Sequence, residues 1–289
     1  MPGRPLIPEA IADQRGSYIS APDLTRRRAI LRETIEAFEF AEPPDRYSRL
    51  AEKNLARWKA ESRDPNPEHK VLVFQGDWGD VTLRMTRRFG ECFAVLNMAN
   101  ACVPGGGYVE GMVAQEENMF RRADCHFYVT DEEYDEQEDR YHPELTRLIS
   151  GVDGRVYLDT DSPRICIRGS EDRTRGHLGY PWLADDEVFP FFELRAAAQD
   201  LRDGSAFEPD EARRRIGAIL DTLRDAGLRH VILGAIGCGA FQNPSDQVAG
   251  IFKQEIGKRI DDFSVIAFAI FSAGYGPGNY PVFAEVFEG

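Results

Sequence analysis

The chain has no C-x-x-C pair: its five cysteines, Cys92, Cys102, Cys125, Cys166 and Cys238, are scattered, and its five histidines stand at no metal-ligand spacing from them. This pattern argues against a disulfide framework and a zinc site, so we expect reduced thiols, no metal and no cofactor. No apolar run reaches the ~18 residues of a membrane span, and none follows the first basic residues as a signal peptide would. A cytoplasmic protein without a membrane partner, acting as a monomer, is the expectation. Positive charge is also scarce, since 35 Lys and Arg against 49 Asp and Glu give a formal charge of -14. Such a surface repels polyanions, so direct nucleic-acid binding is not expected, and an anionic small molecule needs a local site built from backbone N–H groups.

What is present is a chain of 289 residues, 42% of them hydrophobic, enough for a well-buried core. Residues 1 to 21 show no periodicity and read as a loose arm. Helical spacing follows in Leu24, Ile30, Leu31, Ile35 and Phe38, and again in Tyr47, Leu50, Leu55 and Trp58, with prolines at 43, 44, 65 and 67 bracketing the second helix. We therefore divide the chain into an accessory region of arm and helices, 1–64, and a main domain, 65–289. In the main domain short apolar runs rich in β-branched residues predict strands over 71–74, 92–96, 164–168, 189–194, 231–233 and 265–271. Helical stretches at "QEENMFRRADCHFYV", "PDEARRRIGAILDTLRDAG" and "PSDQVAGIFKQEIGKRI" alternate with them. That alternation predicts an α/β domain with a mixed sheet covered on both faces. The acidic run at 131–139, "DEEYDEQED", reads as a solvated loop or lid edge.

Ligands of α/β sheets collect at the carboxyl ends of strands, and glycine concentrates there twice. Gly105-Gly106-Gly107 follows the strand ending at Leu96 and the amides of Asn97 and Asn100; "GAIGCGAF" follows the strand "HVILG". Bare backbone lets N–H groups approach an anion, and a helix N-terminus favours negative charge. Neither loop is a G-x-x-x-x-G-K-[ST] or G-x-G-x-x-G motif, and tight turns use the same residues. Seven residues after the triplet comes Gln115-Glu116-Glu117, opening a helix. Acids in a first turn are ordinary helix caps, but two adjacent carboxylates in a partly closed site also raise each other's pKa, as proton donation near neutral pH requires.

The pattern of three glycines, six to eight residues and then Q-E-E resembles the catalytic signature of the poly(ADP-ribose) glycohydrolase family, a branch of the macrodomain fold, in its microbial type. "VLNMANACVPGGGYVEGMVAQEENMFRR" and "VILGAIGCGAFQNPSDQVAGIFKQEI" are both similar to family counterparts, as is the terminal "FAIFSAG…NYPVFAEVF". The resemblance spans residues 71 to 289 at its ends and weakens over 130–225, where "RGSEDRTRGHLGYPWL" and "FPFFELRAAAQDLRD" depart from the pattern. It implies a three-layer α/β/α macrodomain with an N-terminal helical extension.

By the same resemblance, Glu117 is the catalytic residue, and Glu116 with Asn97 or Asn100 orients the ribose whose C1″ is attacked. Gln115 joins them at the substrate. Gly105, Gly106 and Gly107 pass along the diphosphate, Gly237, Cys238, Gly239 and Ala240 close over it, and Phe241 packs near the ribose. "GDVT", Gly79 to Thr82, is similar to the strand-end motif that contacts adenine, which implicates Asp80 and Val81; Phe271 either stacks on adenine or belongs to the core. Arg121, Arg122 and Arg195 read as surface ion pairs or as contacts to phosphate. The implied reaction is cleavage of the C1″ glycosidic bond in poly(ADP-ribose) or protein-linked ADP-ribose, with Glu117 as general acid and then base. The alternatives are a mono-ADP-ribosyl hydrolase of the arginine type and a reader that binds ADP-ribose without cleaving it.

Overall fold

The computed structural model describes residues 3–7, 19–64, 67–272 and 278–288. Most of the expected loose arm, 8–18, and the 273–277 part of the terminal motif lie outside the described residues. Five strands run parallel in one sheet: β1 (Lys70–Gln75), β2 (Ala94–Met98), β7 (Phe189–Ala196), β8 (His230–Leu233) and β9 (Val265–Ile270), in the order β1-β9-β8-β2-β7. Two short strands, β5 (Tyr157–Leu158) and β6 (Arg164–Cys166), pair antiparallel with β7 and make the sheet mixed. A separate hairpin, β3 (Tyr134–Asp135) and β4 (Arg140–Tyr141), gives the acidic run a definite shape.

The period-two alternation of strand side chains sorts the sheet into two cores. Along β9, Ile266, Phe268 and Ile270 face one core and Val265, Ala267 and Ala269 the other. The first core is closed by α6 (Pro209–Asp225), α7 (Ser245–Gly257) and α8 (Tyr280–Glu288). The second is closed by α1 (Ala21–Glu39), α2 (Arg46–Glu61), α3 (Trp78–Phe89) and α4 (Gln115–Arg122), while α5 (Pro143–Ile149) sits beside β5. No helix among the described residues is long and apolar enough to cross a membrane.

The helix expected over "QEENMFRRADCHFYV" stops at Arg122, where Ala123 is extended ahead of a short 3-10 turn over Asp124–Tyr128, and one strand end departs as well. "GDVT" does not end a strand: Asp77 caps a new helix by accepting from the N–H groups of Gly79 and Asp80, so α3 starts at Trp78. Its stripe of Trp78, Val81, Met85 and Phe89 enters the second core.

That core also holds ions. Glu193 on β7 is fully buried and accepts from Asn97 Nδ2 at 2.8 Å, from Arg195 Nε at 3.0 Å and from Arg164 Nε at 3.0 Å. Burial alone would raise its pKa, but the two guanidinium groups and these hydrogen bonds hold it down at about 2. A carboxyl group depressed on folding contributes stability that is complete above its unfolded value and is lost as pH falls toward the folded one. We therefore expect Glu193 to contribute on the order of 3 kcal/mol near neutrality and to lose it between pH 4.5 and about 2. Urea unfolding across that window should show a steep acid limb in the wild type, and a Glu193→Gln variant that kept the same limb would refute the assignment.

Candidate active site

Helix α4 begins where the glycine loop ends, and Gln115 fastens its first turn to the end of β2. Its Nε2 donates to Leu96 O at 2.9 Å and its Oε1 accepts from Met98 N at 2.9 Å. Gln115 was expected at the substrate; its amide instead closes the gap that an ended strand and a starting helix leave between them. This clamp points Glu116 and Glu117 across the carboxyl end of β2.

Both acids are buried, and each has one oxygen held by a backbone N–H. Glu116 Oε2 accepts from Asn100 N at 2.7 Å, and Glu117 Oε1 accepts from Gly107 N at 3.0 Å. Glu116 Oε1 and Glu117 Oε2 find no hydrogen-bond partner among the described residues. Burial raises the pKa of Glu116 well above the usual range, and the neighbouring Glu117 raises it further against the Asn100 N–H and Arg195. Burial also raises Glu117, but two backbone N–H groups and Arg121 oppose the shift. A proton is therefore favoured on the pair near neutral pH, and one buried oxygen of each acid is left without a partner among the described residues.

The glycines serve a purpose different from the expected one. Gly106 has φ 56°, and a Cβ there would lie 2.6 Å from Glu117 Oε1 and 3.1 Å from Glu116 Oε2. Its own N–H donates to Val103 O at 3.0 Å, and that of Gly107 is held by Glu117. Gly106 thus makes room for the acids, while Gly105 makes room for Tyr108 and Gly107 for Met112, and the N–H groups of Gly106 and Gly107 are not available to a diphosphate. The second loop supplies what the first does not. Among the described residues the N–H groups of Gly239, Ala240 and Phe241 donate to no group of the chain, and the space around the Cα of Gly239 is open. Gly237 is filled in by Ala198 and Asn243, and Cys238 N donates to Ala235 O at 3.1 Å, so these two residues shape the turn. Burial pushes the Cys238 thiol up to about 12, keeping it neutral. Phe241 lies beneath the Arg202 guanidinium.

Asn97 and Asn100 part company for a geometric reason. Asn97 is still in β2, on the face of Glu193, where its side chain is buried and its Nδ2 donates to Glu193. Asn100 has left the strand, and its Oδ1 accepts from Cys102 N and Val103 N while its N–H holds Glu116. The three arginines are neither surface ion pairs nor phosphate contacts. Arg122 binds Asp77 and stacks on Trp78, Arg121 binds Tyr180 and Met112 O, and Arg195 binds Glu193 and Glu133, all in the interior.

At the far end, β1 and β9 bring Asp80 and Phe271 to the same edge. Val81 is excluded from a direct contact: its side chain is core and its N–H closes the first turn of α3 on Asp77 O. Asp80 keeps an exposed carboxyl near Arg122 Nη2 at 3.4 Å with Ser170 beside it, while Phe271 is 44% exposed with the Arg173 guanidinium over its ring at 5.3 Å. Ser170 and Arg173 come from the stretch that departs from the family pattern, so spacing carried no sign of them. Strand order alone then lays out three stations, Asp80 and Phe271 by β1 and β9, the open N–H groups after β8 and the acids after β2. Three inter-strand steps separate the outer strands, roughly 14 Å.

The family model described as microbial-type PARG, catalytic domain, matches residues 14–148, a span that includes both N-terminal helices and the acids. No curated protein sequence matches the chain. Among solved structures, poly(ADP-ribose) glycohydrolase from Thermomonospora curvata is similar with a TM-score of 0.60 and 22% identity, over 90% of this chain and 99% of that one. The same protein bound to the inhibitor ADP-HPD gives 0.59 at 24% identity, over 90% and 99%. The enzyme from Deinococcus radiodurans in complex with ADP-ribose gives 0.54 at 21% identity, over 85% and 92%. The chain therefore has the fold of the bacterial poly(ADP-ribose) glycohydrolases, and over residues 14–148 it matches the catalytic domain of their microbial type in sequence.

Proposed function

We propose that the chain is an ADP-ribose glycohydrolase that cleaves the C1″ glycosidic bond of poly(ADP-ribose) and releases ADP-ribose. The observation that carries this reading is the pair Glu116 and Glu117, buried at the carboxyl end of β2 with one unpartnered oxygen each. In this reading Glu116 and Asn100 orient the ribose, and the N–H groups of Gly239, Ala240 and Phe241 receive the diphosphate. Phe271 and Asp80 receive the adenine. Glu117 gives its proton to the leaving oxygen as the C1″–O bond breaks, a water oxygen bonds to C1″, and the proton released by that water returns to Glu117. We further propose that residues 1–64 are accessory to the domain at 65–289, and that the protein acts in the cytoplasm as a monomer. The charge of -14 supports a site-bound polymer end over general binding of polyanions.

Glu117→Gln should lower kcat for ADP-ribose release by about 10²- to 10⁴-fold; undiminished turnover would remove Glu117 from the mechanism. The same variant should be more stable than the wild type at neutral and alkaline pH. A carboxyl group whose folded pKa is raised loses stability as pH climbs from its unfolded value through the folded one, and glutamine has no such loss. We expect the gain to vanish in acid, measured by thermal unfolding over a pH series. Phe271→Ala should weaken ADP-ribose about ten- to a hundredfold by calorimetry, as loss of base stacking does, with kcat nearly unchanged. Polymer and singly modified protein offered side by side identify the substrate, and exclusive cleavage of the singly modified protein would replace the polymer in this reading.

A further inference from the structure

Residues 3–7 run along the edge of the site. Gly3 N donates to Val129 O at 2.7 Å, with φ 92° and a Cα so close to the His126 ring that no side chain fits there. Arg4 N donates to the Tyr108 hydroxyl at 3.2 Å, and Tyr108 in turn meets His126 Nδ1 at 2.9 Å. The Arg4 side chain is 4% exposed and uses its whole fork. Nε and Nη2 bind the two oxygens of Asp139 at 2.8 and 2.7 Å, Nη2 also binds Glu110 at 3.0 Å, and Nη1 donates to Gly106 O at 2.6 Å. Tyr134 donates to the same Asp139 at 2.7 Å, so the β3–β4 hairpin is the outer anchor of this arginine.

The Gly106 carbonyl and the Gly107 N–H belong to one peptide group. That planar unit is held at its oxygen by Arg4 and at its nitrogen by Glu117 Oε1, so a rotation that breaks one bond breaks the other. We propose that Arg4 is a positioning residue for Glu117, acting through the Gly106–Gly107 peptide, and that residues 3–7 are a working strap of the active site. This inference rests on the function proposed above only for its kinetic consequence; the mechanical link stands apart from it. Hydrogen bonds in series strengthen one another, and a cation at the carbonyl makes the N–H a better donor to the carboxylate. The charged groups around Glu117 are Glu116 on its own helix, Arg121 one turn on and Glu110 in the glycine loop. Around Arg4 they are Asp139, Glu110, Tyr108 and Tyr134, with His126 kept neutral by burial, its pKa lowered to about 4.

Removing Arg4 should loosen the Gly107 N–H and so move the titration of Glu117 upward, because that hydrogen bond favours the charged carboxylate. In Arg4→Ala the amide of Gly107 should exchange with solvent about tenfold faster or more, and kcat should fall about ten- to a hundredfold. The alkaline limb of the kcat–pH profile should shift to higher pH, and KM should change less than kcat. Arg4→Lys, which can still reach the Gly106 carbonyl, should restore part of the rate. Wild-type exchange at Gly107 with an unmoved pH limb would overturn the proposal, as would a uniform rise in exchange over the whole sheet, which marks a merely structural role. Should Arg4→Ala fail to fold, Asp139→Asn removes only the outer anchor and is read in the same way. If the wild type releases no ADP-ribose from any substrate, the proposed function falls, and the exchange measurement still decides the strap.

Discussion

Glu116 and Glu117 are adjacent, buried, and among the described residues each bonded through only one oxygen, an arrangement that costs free energy unless their surroundings share the charge. Most of the local architecture is a response to that cost. Acids at the start of α4 lie at the positive end of its dipole. Asn100 and Gly107 each give a backbone N–H, Gly106 gives up its side chain so the carboxylates can approach, and Arg121 lies close enough to Glu117 to favour its charged form. These contacts fall unequally on the pair. Glu117 has more opposing the upward shift, while Glu116 faces Glu117 on one side and Glu193 beyond it. The unequal surroundings fit a division in which Glu116 is a fixed support and Glu117 the group that exchanges its proton.

Behind the acids, the sheet keeps its own ions separate. Glu193 sits on the same face of the sheet as Asn97 and Arg195, and its pairing with two arginines leaves it a permanent anion. That anion would repel Glu116 and Glu117 if it stood alone; because Arg195 lies with it and favours the ionised form of Glu116, the two effects on Glu116 oppose each other. A buried cluster of this kind adds little to stability compared with apolar packing, but it is intolerant of losing one member. It also fixes the side chain of Asn97 through its Nδ2.

The sheet and its helices were readable from sequence because period-two and period-3.6 patterns dominate long stretches: β1, β2, β6, β7, β8 and β9 fall where the apolar runs place them, within a few residues. Helix α3 was hidden by the glycines and aspartates at its start, which look like turn residues until Asp77 is seen capping the N–H groups. In the candidate site the acids were readable, since no other short stretch sets carboxylates beside so much glycine. The fates of Asn97 and Asn100 were not, because one residue of register decides which face of a strand a side chain takes, and the strand ends between them. Nothing in the spacing of a lone arginine at position 4 or 173 distinguishes it from a solvated one. Their partners, Gly106 and Phe271, lie about a hundred residues away, and only the fold brings them together.

The two glycine-rich loops look alike in sequence and differ in what their backbones have left to offer. A loop whose amides bind its own acids is fixed in place and suited to holding a proton donor still, whereas a loop with unbonded amides at the end of the adjacent strand is suited to an anion. Had the first loop also gripped the diphosphate through Gly107, Glu117 would have lost the N–H that steadies it, and its proton would have become harder to release. In the function proposed above, separating the unbonded amides after β8 from the acids' own donors after β2 keeps a dianionic group one strand away from two carboxylates, with no competition for the same hydrogen bonds.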